Sequence, residues 1–204
     1  MQVSDETTRE QAELFVRTIG CVRYVWNYVL FMRRQEYKLE GLFPGRNECS
    51  RVLTELKADD ACQWLNEVDS IALQTALEYQ LEGWERFFRG QGGQPHFKTR
   101  KSHRDAYIKK PWGTTYAWKG KKLRLSKAGW VRLRLSRKPE GKIQRVTVSR
   151  NPVGRWFVSV LCETEKPQPL APGIGDVGIE DLAVMDSGIK YSSPPGIGKR
   201  CFRS

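Results

Sequence analysis

The chain has 204 residues, 39% of them hydrophobic, with 35 Lys and Arg against 23 Asp and Glu, a net charge of +12. That length can bury a core without staples, and seven Trp in a 39% apolar chain exclude a disordered basic tail. No run nears the ~18 apolar residues a membrane span needs, and MQVSDETTRE has no signal-peptide core, so a transmembrane or secreted protein is not expected.

Cysteines stand at positions 21, 49, 62, 162 and 201, an odd and widely spaced set without a C-x-x-C pair. This predicts free thiols in a reducing, cytoplasmic compartment and no zinc ribbon of this chain's own. His96 and His103 are too few for a histidine-built metal centre. The charge is localised. Residues 1–90 carry 11 basic and 15 acidic side chains (net −4), residues 91–166 carry 20 and 4 (net +16), and residues 167–204 carry four of each. A +16 stretch interleaved with Trp112, Trp118, Trp130 and Trp156 is the footprint of a polyanion-binding surface.

Taken along the chain, Thr7 or Thr8 caps a first helix, with Glu10 completing the cap. Gly20 marks a junction to a second helix, whose Val22, Val25, Trp26, Val29 and Leu30 follow the 3.6-residue period. Tyr24, Tyr28 and Phe31 cover the remaining circumference, so this helix is expected to be buried on most sides. Arg23 and Asn27, one turn apart, suit structural partners somewhat better than nucleic-acid contacts. GLFPG is a loop before a short helix near 48–57, and Asp69 or Ser70 caps a long helix carrying Leu73, Leu77, Leu81, Trp84 and Phe88. RGQGGQP ends it.

Beyond Gly93 the period becomes two. KKLRLSK turns Leu123 and Leu125 one way, and WVRLRLS does the same with Val131, Leu133 and Leu135. KIQRVTVSR and RWFVSVLCE are further strands joined by a turn at N-P-V-G. The pattern predicts a small antiparallel sheet or barrel, apolar on one face and cationic on the other. Lys122, Arg124, Arg132 and Arg134 alternate onto the cationic face, with Lys127 and Trp130 beside them. GQPHFKTRKSHR, with Lys98, Arg100 and Lys101, reads as an exposed basic loop able to lie along a nucleic-acid strand. Cations on a rigid sheet bind phosphates in register, and nearby rings stack on unpaired bases. After the proline-rich KPQPLAP, GIGDVGIEDLAVMDSGIKYSSP predicts a strand ending near Val177, a second over 182–185 and a turn at 186–188. Asp176 sits on the first of these strands; Asp181 and Asp186 read as turn residues.

The ordered blocks TIGCVRYVWNYVLFMRR, CQWLNEVDSIALQTALEYQLEGWERFFRG, QPHFKTRKS, LSKAGWVRLRLSRKPEGKIQRVTVSRNPVGRWFVSVLCE and IGDVGIEDLAVMDSG resemble the TnpB (OrfB-type) family of insertion-sequence proteins, relatives of the type V CRISPR effectors. The resemblance spans nearly the whole chain. It implies an α+β organisation: a helical, helix-turn-helix-like recognition lobe over 1–93, a basic oligonucleotide-binding β-barrel over 94–166, and over 167–204 a linker with the start of a RuvC-type nuclease domain. It implies DNA and a guide-like RNA as partners, with Asp176 matching the first RuvC carboxylate of the G-I-D-x-G-I block, although Gly175 stands where an Ile usually does. The family's opening strand is short or missing before Thr7. The later RuvC glutamate and aspartate and the four-cysteine zinc ribbon are absent before Ser204, so Mg²⁺ and Zn²⁺ are implied only for full-length members. The expectation is a front half without nuclease activity of its own. A nuclease-dead RNA- or DNA-binding regulator is the alternative.

Overall fold

Two local devices set where the first helix runs. In the computed structural model, which describes residues 2–3, 8–41, 43–102, 105–111, 117–135, 139, 141–163, 181–184 and 190–192, Thr8 is the N-cap of α1 (Arg9–Glu40). Its hydroxyl accepts from the Gln11 amide, and the Gln11 side chain accepts from the Thr8 N–H. The capping partner is thus Gln11 rather than Glu10, because the box needs the third helical position. At the other end Gly41 closes the helix in the left-handed conformation, φ 67°.

Between those caps the helix is continuous for 32 residues and passes straight through Gly20. The expected junction does not form. Glycine costs about 1 kcal/mol against alanine in a helix, whereas burial of Ile19, Cys21 and Val22 around it contributes roughly 1.5–3 kcal/mol for each large aliphatic side chain. A methyl group added at Gly20 would meet nothing within 4 Å. Gly20→Ala is therefore expected to stabilise the protein by about 0.5–1 kcal/mol, raising Tm by roughly 1–4 °C in a thermal melt. A glycine serving a turn between two helices would lose stability on the same change.

After Gly41, residues 43–45 lead to α2 (Arg46–Ala58), a 3₁₀ stretch follows over Asp60–Glu67, and α3 (Ser70–Phe88) begins at Asp69, whose carboxylate accepts from the Ile71 N–H at 3.0 Å. Leu73, Leu77 and Trp84 are buried as their spacing predicts, but Phe88 is half exposed. Helix α1 is not buried on most sides either: Tyr24, Tyr28 and Phe31 are 37%, 41% and 57% exposed. Periodicity puts them on the helix's remaining faces, and those faces are left largely open. A buried polar network ties α1 to α3. Arg33, 1% exposed, donates from Nε to the Pro44 carbonyl (3.2 Å) and from Nη1 to Gln80 Oε1 (3.0 Å), while Gln80 Nε2 donates to the Trp26 carbonyl (2.7 Å).

The sheet has seven strands in the order β2-β6-β7-β1-β5-β4-β3. They are β1 (Gln2–Val3), β2 (Asp105–Lys109), β3 (Ala117–Lys119), β4 (Lys122–Leu125), β5 (Gly129–Arg134), β6 (Lys142–Arg150) and β7 (Trp156–Glu163). Every pairing is antiparallel. The short opening strand is present, and its two residues join the halves of the sheet: Gln2 lies opposite both Arg134 of β5 and Phe157 of β7. No closed barrel forms among the described residues. Closure needs the two edges to pair, and here β2 pairs with β6 and the three-residue β3 with β4. Leu123, Leu125, Val131, Leu133, Val146, Val148 and Val158 form the inner face, sharing one apolar core with Phe15, Ile19 and Val22 of α1. Phe15 meets Trp156 edge-to-face with ring centroids 5.2 Å apart.

Residues 165–204 form a separate unit. Its described part is the hairpin of β8 (Asp181–Val184) and β9 (Lys190–Ser192). Asp181 opens a strand rather than sitting in a turn. The strand expected to end near Val177, Asp176 on it, Asp186 and the turn at 186–188 lie outside the described residues.

Candidate nucleic-acid interface

The cationic face is built by the hairpins at β3–β4–β5. Alternation sends Leu123, Leu125, Val131 and Leu133 inward, so Lys122, Arg124, Trp130, Arg132 and Arg134 stand outward and all are exposed. Register then sets the pattern. Lys122 lies directly opposite Arg132, and Arg124 directly opposite Trp130. On its other side Lys122 faces Lys119, so Lys119, Lys122 and Arg132 form a row of three cations across three strands. Gly120, at φ 57°, takes the first central position of the two-residue turn that brings Lys119 and Lys122 face to face. Arg134 sits two residues beyond Arg132 on the same face. Like charges directly opposed destabilise a sheet.

Lys119 falls outside the set that alternation picks out, because the three residues of β3 are too few to show a period. The sequence K-G-K-K, with its glycine-led turn between lysines, is the signal that marks it. Gln11 steadies this end of the sheet, its side-chain amide donating to the carbonyls of Ala128 (3.0 Å) and Trp130 (3.1 Å). Trp130 is 43% exposed and is the ring placed to stack beside Arg124. Trp118 and Trp156 instead pack into or against the core, and Trp112 lies outside the described residues, so only part of the expected interleaving of rings and cations holds.

Several other basic residues are taken up by contacts within the protein. Lys127, at φ 65° in the β4–β5 turn, reaches the Asn66 carbonyl at 3.4 Å. Lys109 is buried against Asp69, Lys110 pairs with Glu78 at 2.8 Å, and Arg145 donates to the Tyr79 hydroxyl at 3.0 Å. Part of the +16 surplus is thus internal.

The run 94–102 is pinned to α1 rather than free. Asn27 grips residue 98 with both amide atoms, Nδ2 donating to the Lys98 carbonyl (2.9 Å) and Oδ1 accepting from the Lys98 N–H (2.8 Å). Trp26 Nε1 donates to the His96 carbonyl (3.0 Å) and Arg34 to the Pro95 carbonyl (2.7 Å). Gly83 lets Pro95 approach, since a Cβ there would sit 3.2 Å from the proline ring. The Lys98 ammonium lies 3.8 Å from the centre of the Trp26 ring, and desolvation against it pushes its pKa below the usual lysine range. Arg100 and Lys101 remain exposed in a 3₁₀ turn leading to β2. Because β2 and β3 are opposite edges of the sheet, Lys98, Arg100 and Lys101 form a group at one edge and Lys119, Lys122, Arg124, Arg132 and Arg134 another toward the far edge.

Among the described residues no three His, Cys, Asp or Glu side chains gather as a metal site, and none of the helices is long and apolar enough to cross a membrane. The candidate catalytic carboxylate, Asp176, is not among those residues.

The fold and face define an α+β protein whose antiparallel sheet displays cations in register. Comparison with known proteins narrows the class. A family profile described as a helix-turn-helix domain, of the OrfB type of IS605 elements, matches residues 6–41, a stretch that includes α1. A Streptomyces pristinaespiralis protein named as a putative RNA-guided DNA endonuclease is 38% identical over 196 residues, 92% of this chain and 48% of that protein. Escherichia coli K12 InsQ, named likewise, is 30% identical over 179 residues, 86% of this chain and 44% of its own. The chain belongs to this OrfB, or TnpB-type, family, and it spans about half the length of the curated relatives it matches.

Proposed function

We propose that this chain grips the sugar–phosphate backbone of a guide-like RNA and its DNA target, acting as the nucleic-acid-holding part of a TnpB-type insertion-sequence protein. The observation that carries the reading is the Lys119–Lys122–Arg132 row, continued by Arg124 and Arg134, on a sheet locked in register by paired neighbours. Such a face meets phosphates without reading bases, since phosphate contacts position a strand and carry no sequence information directly. Trp130 adds a ring on which one unpaired base can stack, worth about 1–3 kcal/mol. The names of the two relatives support RNA and DNA as the partners.

In this reading the 204-residue polypeptide binds but does not cut. The test is binding and cleavage in one series. The chain should bind single-stranded RNA and DNA at low ionic strength. Affinity should fall linearly on a log–log salt plot, with a slope of about −0.7 for each phosphate neutralised on a single strand. With Mg²⁺, guide-like RNA and matching duplex the DNA should stay intact. Cutting that disappears in Asp176→Ala would overturn the cleavage half; failure to bind any oligonucleotide would overturn the whole.

A further inference from the structure

A cavity of about 520 Å³ lies between α1, α3, residues 96–99 and β2, away from the sheet face described above. Its size falls within the ~300–1,000 Å³ usual for small-ligand sites. The floor is apolar, including Ile19, Val22, Ala72 and Ala76, while Trp26, Tyr79 and Phe97 supply rings. Each ring already carries a cation over one face: Lys98 over Trp26 at 3.8 Å, Lys110 over Tyr79 at 5.1 Å and Arg34 over Phe97 at 5.0 Å.

The charged lining is what makes this more than a packing gap. Arg23 and Arg86 both line the cavity, yet among the described residues neither guanidinium makes a hydrogen bond or ion pair. The Asp105 carboxylate, also in the lining, is likewise unpartnered among them. Arg23 and Asp105 are half-buried, where an unmatched charge carries a desolvation cost that a ligand can relieve. An open guanidinium group suits a phosphate. Ring faces suit one heterocycle, and a carboxylate suits the exocyclic amino group of a base.

We infer that this cavity captures a single unpaired nucleotide, base inside and phosphate at Arg23 and Arg86, from a strand that continues along Arg100 and Lys101. The inference rests on the nucleic-acid reading above and adds a second, stacking site to it. RNA and DNA share this chemistry, so both are tested.

The probe is an oligouridylate or an oligothymidylate carrying one 2-aminopurine, whose fluorescence is quenched when it stacks. Binding of each strand to the full chain is followed separately by anisotropy. With the wild-type chain at saturation, 2-aminopurine should be quenched, and the arm with the stronger quench names the strand. The quench should persist at saturation in Arg132→Ala/Arg134→Ala, whose changes lie on the other surface. Arg23→Glu/Arg86→Glu and the cavity-filling Ala76→Phe should each weaken the stacked state by about five- to hundredfold, the range that loss of one stacked base implies. Should Ala76→Phe not fold, by circular dichroism, the arginine pair decides. Binding without quenching, or quenching that survives both cavity variants, overturns the cavity site and leaves the backbone-gripping face standing. No binding to either strand removes both.

Discussion

Arg132→Ala/Arg134→Ala is expected to weaken single-stranded nucleic-acid binding by about an order of magnitude at low salt and to flatten the log–log salt slope by roughly 1.4, since each neutralised phosphate contributes about 0.7. The argument is geometric before it is electrostatic. Val131 and Leu133 are 0% and 1% exposed on either side of Arg132, so the strand cannot rotate its arginines away without surfacing its core. Arg132 is fixed opposite Lys122, and Arg134 opposite Gln2 of the central strand. Removing them should change stability little, because both side chains stand on the exposed face of the strand. Lower affinity with an unchanged Tm is the signature of a face kept for binding. Arg132→Lys/Arg134→Lys should preserve the slope. An unchanged slope in the alanine pair would reject the face as the binding surface, whatever happened to affinity.

How much of this is legible in the sequence depends on the range of the interaction. Strands β4 and β5 can be read because each residue's facing follows from its neighbours two positions away, and Asp69 can be read as a cap because its partner, Ile71, is two residues on. Gly20 misleads because local propensity reports the cost of a glycine in a helix and not the burial of Ile19, Cys21 and Val22 that exceeds it. Tyr24, Tyr28 and Phe31 mislead for a related reason: spacing says which residues share a face and not whether anything covers it. The grip of Asn27 on residue 98 spans 71 positions, and the insertion of Gln2 between β5 and β7 joins the start of the chain to residues 134 and 157. Neither leaves a local pattern. The consequence for the candidate site is direct. Alternation finds the sheet cations, while Lys119 and the cavity arginines Arg23 and Arg86 need the register and the packing of α1 on β2.

The largest stability effect should come from Asp69, where α3, β2 and the turn after β4 meet. One carboxylate oxygen caps α3 through the Ile71 N–H, and the other accepts from the Lys109 ammonium, which also contacts the Ser126 hydroxyl. The side chains of Asp69 and Lys109 are 11% and 2% exposed. Building such a pair brings little net gain, since desolvation of both ions offsets their attraction, but removing one partner leaves the other buried charge without its counter-ion at about 3–5 kcal/mol. Asp69→Ala loses the cap as well, about 1 kcal/mol, and the two losses share one residue and need not add. For a domain of this size, a loss of about 3–5 kcal/mol lowers Tm by roughly 6–20 °C. Asp69→Asn separates the contributions, because an asparagine oxygen still caps the helix while the charge is gone; it should recover the capping part and keep most of the loss. Lys109→Met should cost less than Asp69→Ala, since the carboxylate it leaves retains the cap and is the more exposed of the two. Combining Asp69→Asn with Lys109→Met should then restore much of the stability lost in Asp69→Asn alone, as no uncompensated charge remains. If the double variant were instead as unstable as the two single losses added together, the coupling between α3 and β2 through this pair would be absent, and their docking would have to rest on the apolar contacts alone.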